Sequence, residues 1–229
     1  MASLRKKLRK LFGKERKQEG YYWEYYNRIN LIAQEIRALG MQQCRVLDVG
    51  GIKSNNIIKQ FGIDNVTTLN ITGDADITAS AHKIPFDDRS FDIVCCTDTL
   101  EHIPRNMRDD VVNELIRLAK IAVFIIAPID NEENRRAEAL VQRYLPTSGY
   151  LKDHFEHGLV DFDHIRTMMA KGDQSRLIKT IKEVDLDNLM FWVLAMIGDK
   201  ENISRLYQEL YFLENRYCPR RKALLVYKI

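Results

Sequence analysis

Between residues 44 and 128, short apolar runs rich in β-branched residues recur, and each is closed by a glycine, a proline or a polar residue. They are CRVLDVGG (44–51), NVTTLNI (65–71), ADITA (75–79), a run at about 91–97 within SFDIVCCTDTL, and KIAVFIIAP, which Pro128 ends. Runs of this length and composition read as buried strands. Several are almost continuously apolar rather than alternating, which suits a sheet covered on both faces. The stretches between them have helical character. SNNIIKQFG is a short helix with Ser54 as N-cap and Gly62 as stop, and RNMRDDVVNELIRLA is amphipathic. The order β-α-β-(β)-β-α-β predicts an α/β, Rossmann-like fold, a mostly parallel sheet with helices on both faces. Such sheets bind ligands at the carboxyl ends of their strands, so the residues just after each strand matter most.

The flanks complete the outline. An aromatic-led segment, YYWEYYNRINLIAQEIRALG, precedes the first strand and reads as a helix closed by Gly40. After Pro128 the pattern loosens, and residues 130–175 read as a small helical lid or substrate segment. RLIKTIKEVD is a sixth strand and KALLVYKI a final one, with LDNLMFWVLAMIG and NISRLYQELYFLENRY as helices between them. With 229 residues the chain suits one α/β domain, here residues 21–229, behind a basic segment at 1–20.

Charge is unevenly spread. Residues 1–20 carry +6 of a total of +3, which leaves the body slightly acidic at −3. That disfavours a nucleic-acid surface spread over the fold. Within the basic segment, Leu4, Leu8, Leu11 and Phe12 share a helical spacing among Arg5, Lys6, Lys7, Arg9 and Lys10. Residues 2–12 thus form a basic amphipathic helix able to dock reversibly on an anionic membrane surface, with RNA contact or disorder as alternatives. No run is long enough to span a bilayer. Four cysteines, Cys44, Cys95, Cys96 and Cys218, match neither a disulfide framework nor a zinc ribbon. A reducing cytoplasm fits best, with peripheral membrane association through residues 2–12.

Chemistry concentrates after the first and fourth strands. Asp48, Gly50 and Gly51 follow strand one, where glycine admits positive φ and close backbone approach, and a carboxylate can hold a cationic amine. The dinucleotide pattern G-x-G-x-x-G and the phosphate-binding P-loop are both absent, which disfavours a nicotinamide reductase. The stretch 81–104, AHKIPFDDRSFDIVCCTDTLEHIP, holds Ile84-Pro85-Phe86, then Ser90-Phe91-Asp92, then Leu100-Glu101-His102.

With VLDVGG upstream, these segments resemble in order and spacing the class I S-adenosylmethionine-dependent methyltransferases, in the branch that includes ubiquinone and related small-molecule methyltransferases. The resemblance covers roughly residues 44–128. It implies S-adenosyl-L-methionine as cofactor and an O- or N-methylation. It further implies that Asp48, Gly50 and Gly51 face the amino-acid end of the cofactor. Asn70 stands where the family places Asp or Glu on the ribose, Ser80 where it often has Asp against the adenine amine, and Ala81 offers its N–H to the ring. Asp98 and Leu100 lie beside the sulfur. The chain departs from the family at Ile52 and Ser54, where further glycines are common, and at Asn70 and Ser80, which lack a carboxylate.

His102, just past strand four, is a candidate general base, with a packing role as the equal alternative. The segment DHFEHGLVDFDH (153–164) gathers His154, Glu156, His157, Asp161, Asp163 and His164. His157 or His154 could serve as base. The H-x-x-H spacing could hold a metal, but a polar lid is the better reading, so no metal site is expected. Tyr21, Tyr22, Trp23, Tyr25 and Tyr26 read chiefly as packing, with closure over a sulfonium as the alternative. The acceptor expected is a small molecule, a glycan or a lipid-linked compound, with no nucleic acid, because the N-P-P-Y pattern of amino-methylating nucleic-acid enzymes is missing after strand four. A non-catalytic protein that binds S-adenosylmethionine or a partner on the same fold is the alternative.

Overall fold

The structure is a computed structural model, and it describes residues 23–54, 56–144, 149–171, 179–185 and 222–228. The basic segment, Tyr21, Tyr22, Cys218 and both helices expected between the last two strands lie outside the described residues.

Helix α1 (Trp23–Ala38) leads into β1 (Val46–Val49), α2 (Ile57–Gln60), β2 (Val66–Asn70), β3 (Ile77–Thr78) and β4 (Phe91–Thr97). Two 3₁₀ turns, Leu100–His102 and Arg105–Met107, precede α3 (Arg108–Leu118) and β5 (Ala119–Pro128). Then come α4 (Glu132–Tyr144), α5 (Gly149–His157), α6 (Phe162–Lys171), β6 (Lys179–Asp185) and β7 (Lys222–Lys228). The sheet order is β3-β2-β1-β4-β5-β7-β6. The first five strands are parallel, and β7 enters antiparallel between β5 and β6. The Rossmann-like expectation holds, and the antiparallel β7 is the addition.

Alternation along the strands builds the two layers. Leu47, Val49, Val94, Cys96, Val123 and Ile125 face one side, where α3 contributes Val111, Val112, Leu115 and Leu118. Val46, Ile93, Cys95, Phe124 and Ile126 face the other, against Ile29, Ile32 and Ile36 of α1. Each fully buried aliphatic or Phe side chain contributes about 1.5–3 kcal/mol by leaving water. Cys95 and Cys96 are buried free thiols, and burial raises both of their pKa values, which leaves them inert.

Gly40 ends α1 as expected. Its φ is +70°, Met41 N–H donates to Ile36 C=O at 3.1 Å, and Gly40 N–H to Arg37 C=O at 2.9 Å, the paired bonds of a Schellman stop. At α2 the expected cap is corrected. Asn56 rather than Ser54 reaches the helix, its Oδ1 accepting from Lys59 N–H at 3.4 Å, because the Ser54 hydroxyl is taken by Asp74.

The described residues of 130–171 include the three helices α4, α5 and α6. Val160 bridges Ile129, and Val160, Phe162 and Ile165 join the main core. Arg108, nearly buried, ties this region to the strand-four turn. Its guanidinium donates to the carbonyls of Ile103 (3.0 Å), His157 (3.1 Å), Gly158 (2.5 Å) and Leu159 (2.8 Å).

Candidate functional site

Chain order runs outward from β1 to β3 and then returns to place β4 on the other side of β1. The carboxyl ends of β1 and β4 therefore flank the switch point, where a crevice opens between loops leaving in opposite directions. Asp48, Gly50, Gly51, Asn70, Asp98 and Leu100 all lie on or just beyond β1, β2 and β4, whose carboxyl ends form this rim.

Asp48 sits within β1, only 5% exposed, in the alternation of Val46. Asn56 Nδ2 donates to its Oδ2 at 2.8 Å, while Oδ1 is buried with no hydrogen-bond partner. Burial pushes the carboxyl up to about 6, with the Asn56 bond working against the rise. A buried carboxylate oxygen without a donor is costly, and a cationic ligand group would satisfy it.

The turn after β1 is tight for internal reasons. Gly50 has φ +85°, and a Cβ there would stand 1.9 Å from Thr99 Oγ1. A Cβ on Gly51 would stand 2.2 Å from Asp48 Oδ2. Ile52 is absent from the residues with positive φ, so the chain leaves the turn by a path that a β-branched residue can follow. That path is tied to the β2–β3 loop. Lys53 N–H donates to Asp74 C=O at 2.9 Å, and Lys53 Nζ pairs with Asp76 at 3.1 Å. Thr68 N–H, donating to Asp76 at 3.0 Å, leads the causes that hold that carboxyl down at about 2.

Asn70 ends β2. Its Nδ2 donates to Gly50 C=O at 2.9 Å and more weakly to Gly51 C=O at 3.4 Å. The residue expected at a ribose thus braces the glycine turn, a task that needs a donor and that a carboxylate could not perform. Ser80 Oγ meets His82 Nδ1 at 2.6 Å, and Ala81 is buried in the main core at the turn that follows.

After β4 the backbone is strained. Asp98 takes φ +45°, one of two non-glycine residues with positive φ among those described, and such conformations cluster at functional sites. Its N–H donates to Ile126 C=O at 2.9 Å. Thr99 then packs on Gly50, and Leu100 is buried.

The next two residues open a polar cluster. His102 Nδ1 meets Asp153 Oδ2 of α5 at 3.0 Å, and the His102 and His154 rings lie 5.0 Å apart, centroid to centroid. His154 Nδ1 meets Glu138 Oε1 of α4 at 2.9 Å, with both side chains buried, and Glu101 is buried beside them. His102 is therefore held by a carboxylate, as an orienting partner would hold a base. Glu138 and Asp153 are not singled out by sequence, and Glu101 is named only as part of the Leu100-Glu101-His102 segment. The available signal was the i, i+3 spacing of Leu151 and His154, which puts both on one face of α5, the face the structure buries.

His157 touches this cluster at its edge, grouped with Asp153 and Glu156 within 4.8 Å rather than with Glu101, His102 and His154. It lines an open surface depression of about 490 Å³ with Pro104, Arg105, Asn106, Glu156 and Gly158. None of the switch-point residues borders that depression. The two histidines of H-x-x-H thus fall into different groupings, and His164 pairs with Asp109 at 2.8 Å on the surface.

The sequence profile of a methyltransferase domain matches residues 55–126, the span from α2 through most of β5. A search of curated proteins returns no match. Among solved structures, the chain is similar to magnesium protoporphyrin IX methyltransferase from Synechocystis with bound S-adenosylhomocysteine. Identity is 11% over 99% of this chain and 94% of that one, with a TM-score of 0.56. The plantazolicin methyltransferase in complex with S-adenosylhomocysteine is 9% identical over 90% and 83% of the two chains, with a TM-score of 0.55. A Pyrococcus horikoshii protein is 14% identical over 97% and 98%, with a TM-score of 0.53. At these identities the likeness is one of fold.

Proposed function

We propose that this protein is an S-adenosylmethionine-dependent methyltransferase acting on an oxygen or nitrogen of a small-molecule, glycan or lipid-linked acceptor. The observation that carries the reading is Asp48. Its buried oxygen lacks a donor at the switch point of a chain whose residues 55–126 match a methyltransferase domain. The likeness to two methyltransferases bound to S-adenosylhomocysteine supports the cofactor.

When bound, the cofactor supplies a methyl group already activated on a sulfonium. The chain's task is therefore to hold and orient. Asp48 would accept from the ammonium of the amino-acid end, beside the backbone of Gly50 and Gly51. Asn70 keeps that turn in shape. Ser80 and Ala81 would border the adenine, and Asp98 and Leu100 the sulfur. On the acceptor side, Glu101, His102 and His154 form a polar wall able to hold a hydroxyl or amine and assist loss of its proton. No helix among the described residues is long and apolar enough to cross a membrane. Residues 2–12 would give at most a reversible surface contact, consistent with a lipid-linked acceptor and a cytoplasmic setting.

Calorimetry of the full chain with S-adenosylmethionine and S-adenosylhomocysteine tests the reading. Binding of both is expected in the range of about 1 μM to 1 mM common for enzyme substrates, with loss in Asp48→Ala. No binding of either ligand refutes it. Tight binding without turnover on any acceptor would favour the non-catalytic alternative.

A further inference from the structure

We infer that Glu101, His102 and His154 form a binding site for a first-row divalent transition-metal ion. Glu101 and His102 come from the turn after β4 and His154 from α5, and one ligand atom of each lies within 4.8 Å of the others. Glu101 is 1% and His154 4% exposed. Convergence of three ligand-type side chains from two distant segments is the first argument.

The second is what stands behind them. His102 Nδ1 is held by Asp153 at 3.0 Å, and His154 Nδ1 by Glu138 at 2.9 Å. A carboxylate on one ring nitrogen fixes the plane of the imidazole and makes the other nitrogen the better ligand, the arrangement that metal-ligating histidines adopt. Here both histidines carry such a partner, on two different helices. Other pairs in the region show no such convergence. His164 meets Asp109 on the surface, and the Asp153–Glu156–His157 grouping is largely open to solvent.

The third is charge. Three carboxylates gather here, Glu101 beside the two rings, Asp153 on His102 and Glu138 on His154, while Arg108, which interacts with Glu101, gives its guanidinium to main-chain carbonyls. A dication suits a site so rich in carboxylates. Two imidazole nitrogens and one carboxylate oxygen suit iron, zinc, cobalt or nickel, whereas magnesium and calcium take oxygen-rich sets. The ion would sit next to Leu100 and face the acceptor side. Its role there rests on the transferase reading: it would bind an acceptor oxygen, which loses its proton to solvent more readily once coordinated. In that state His102 is a ligand.

The test uses the full chain, without a histidine tag and freed of metal by chelation. Co²⁺ is titrated and its visible d–d bands are followed, and Zn²⁺ is titrated by calorimetry. One equivalent per chain is expected. His102→Asn and Glu101→Gln should lose the uptake, Asp153→Asn should weaken it about 10–100-fold, and His164→Gln should leave it unchanged. Circular dichroism and melting confirm which variants are folded, and half-buried His102 keeps the test available if the buried Glu101 variant does not fold. Absence of uptake by the folded chain, or equal affinity in His102→Asn, overturns the inference. S-adenosylmethionine binding measured on the same metal-free chain separates the two readings, because retained cofactor binding without metal uptake defeats the metal site alone.

Discussion

The side-chain amide of Asn70 donates to the main-chain carbonyl of Gly50 at 2.9 Å, across the gap between the ends of β2 and β1. Replacing that donor with an acceptor should set two oxygens against each other. Asn70→Asp is expected to lower stability by about 1–3 kcal/mol, the range for a buried group left unsatisfied. It should also fail to improve cofactor affinity, although it restores the residue type common at this position in the resembling family. Urea unfolding and calorimetry check both. An unchanged midpoint with tighter binding would refute the brace.

Asp48 makes stability depend on pH. Burial raises its folded-state pKa from an ordinary 3.8 to about 6. Folding therefore takes up a proton between those values. The contribution is present in full below about 3.8, falls as pH rises, and is gone above about 6, a span worth about 3 kcal/mol. Asp48→Asn should flatten this dependence. Cofactor binding should move oppositely, tightening as pH rises through about 6, because the ionised carboxylate is what an ammonium needs. Denaturation and calorimetry across pH 4 to 8 measure both slopes.

Gly50 and Thr99 form a steric pair. Gly50→Ala should destabilise by about 2 kcal/mol or more, from a clash with Thr99 and from the positive φ together. Thr99→Gly in the same chain should recover the clash component and leave the backbone component. A double-mutant cycle with a coupling above about 0.5 kcal/mol is the expected result, and strict additivity would count against the contact.

Arg108 should matter for stability well beyond its charge. Arg108→Met leaves the carbonyls of Ile103, His157, Gly158 and Leu159 without this donor, at a cost of about 3 kcal/mol. Arg108→Lys should recover little, because an ammonium cannot span the fork. Hydrogen exchange should quicken first at residues 158–160, between α5 and α6.

The basic segment has a separate test. The full chain should co-sediment with phosphatidylserine-containing vesicles at low salt and less so at high salt, and a chain lacking residues 1–19 should stay in the supernatant. Equal partitioning would reject the membrane contact.

The strand pattern was legible because burial on both faces leaves continuous apolar runs, and VLDVGG and SFDIVCC read directly onto β1 and β4. Gly50 was legible as a turn residue. The partner that forbids a side chain there, Thr99, was not, since it comes from the far side of the switch point. The polar cluster was least legible of all. His102 meets Asp153 across 51 residues and His154 meets Glu138 across 16, distances at which local spacing carries no information. The H-x-x-H spacing puts His154 and His157 on one helical face, where a polar lid is the better reading, and the packing of α5 turns His154 inward and leaves His157 at the helix end.

The antiparallel entry of β7 between β5 and β6 has a consequence for synthesis. A chain emerging residue by residue makes β5 and later β6, but until β7 follows β5 is paired on its β4 side alone and β6 lacks its β7 neighbour. For that interval the Val123–Ile126 edge offers unpaired main-chain groups on a hydrophobic strand, the kind of template that recruits other nascent chains. Products terminated before β7 should therefore be the species that aggregate, and quality control during translation has its window before β7 is made.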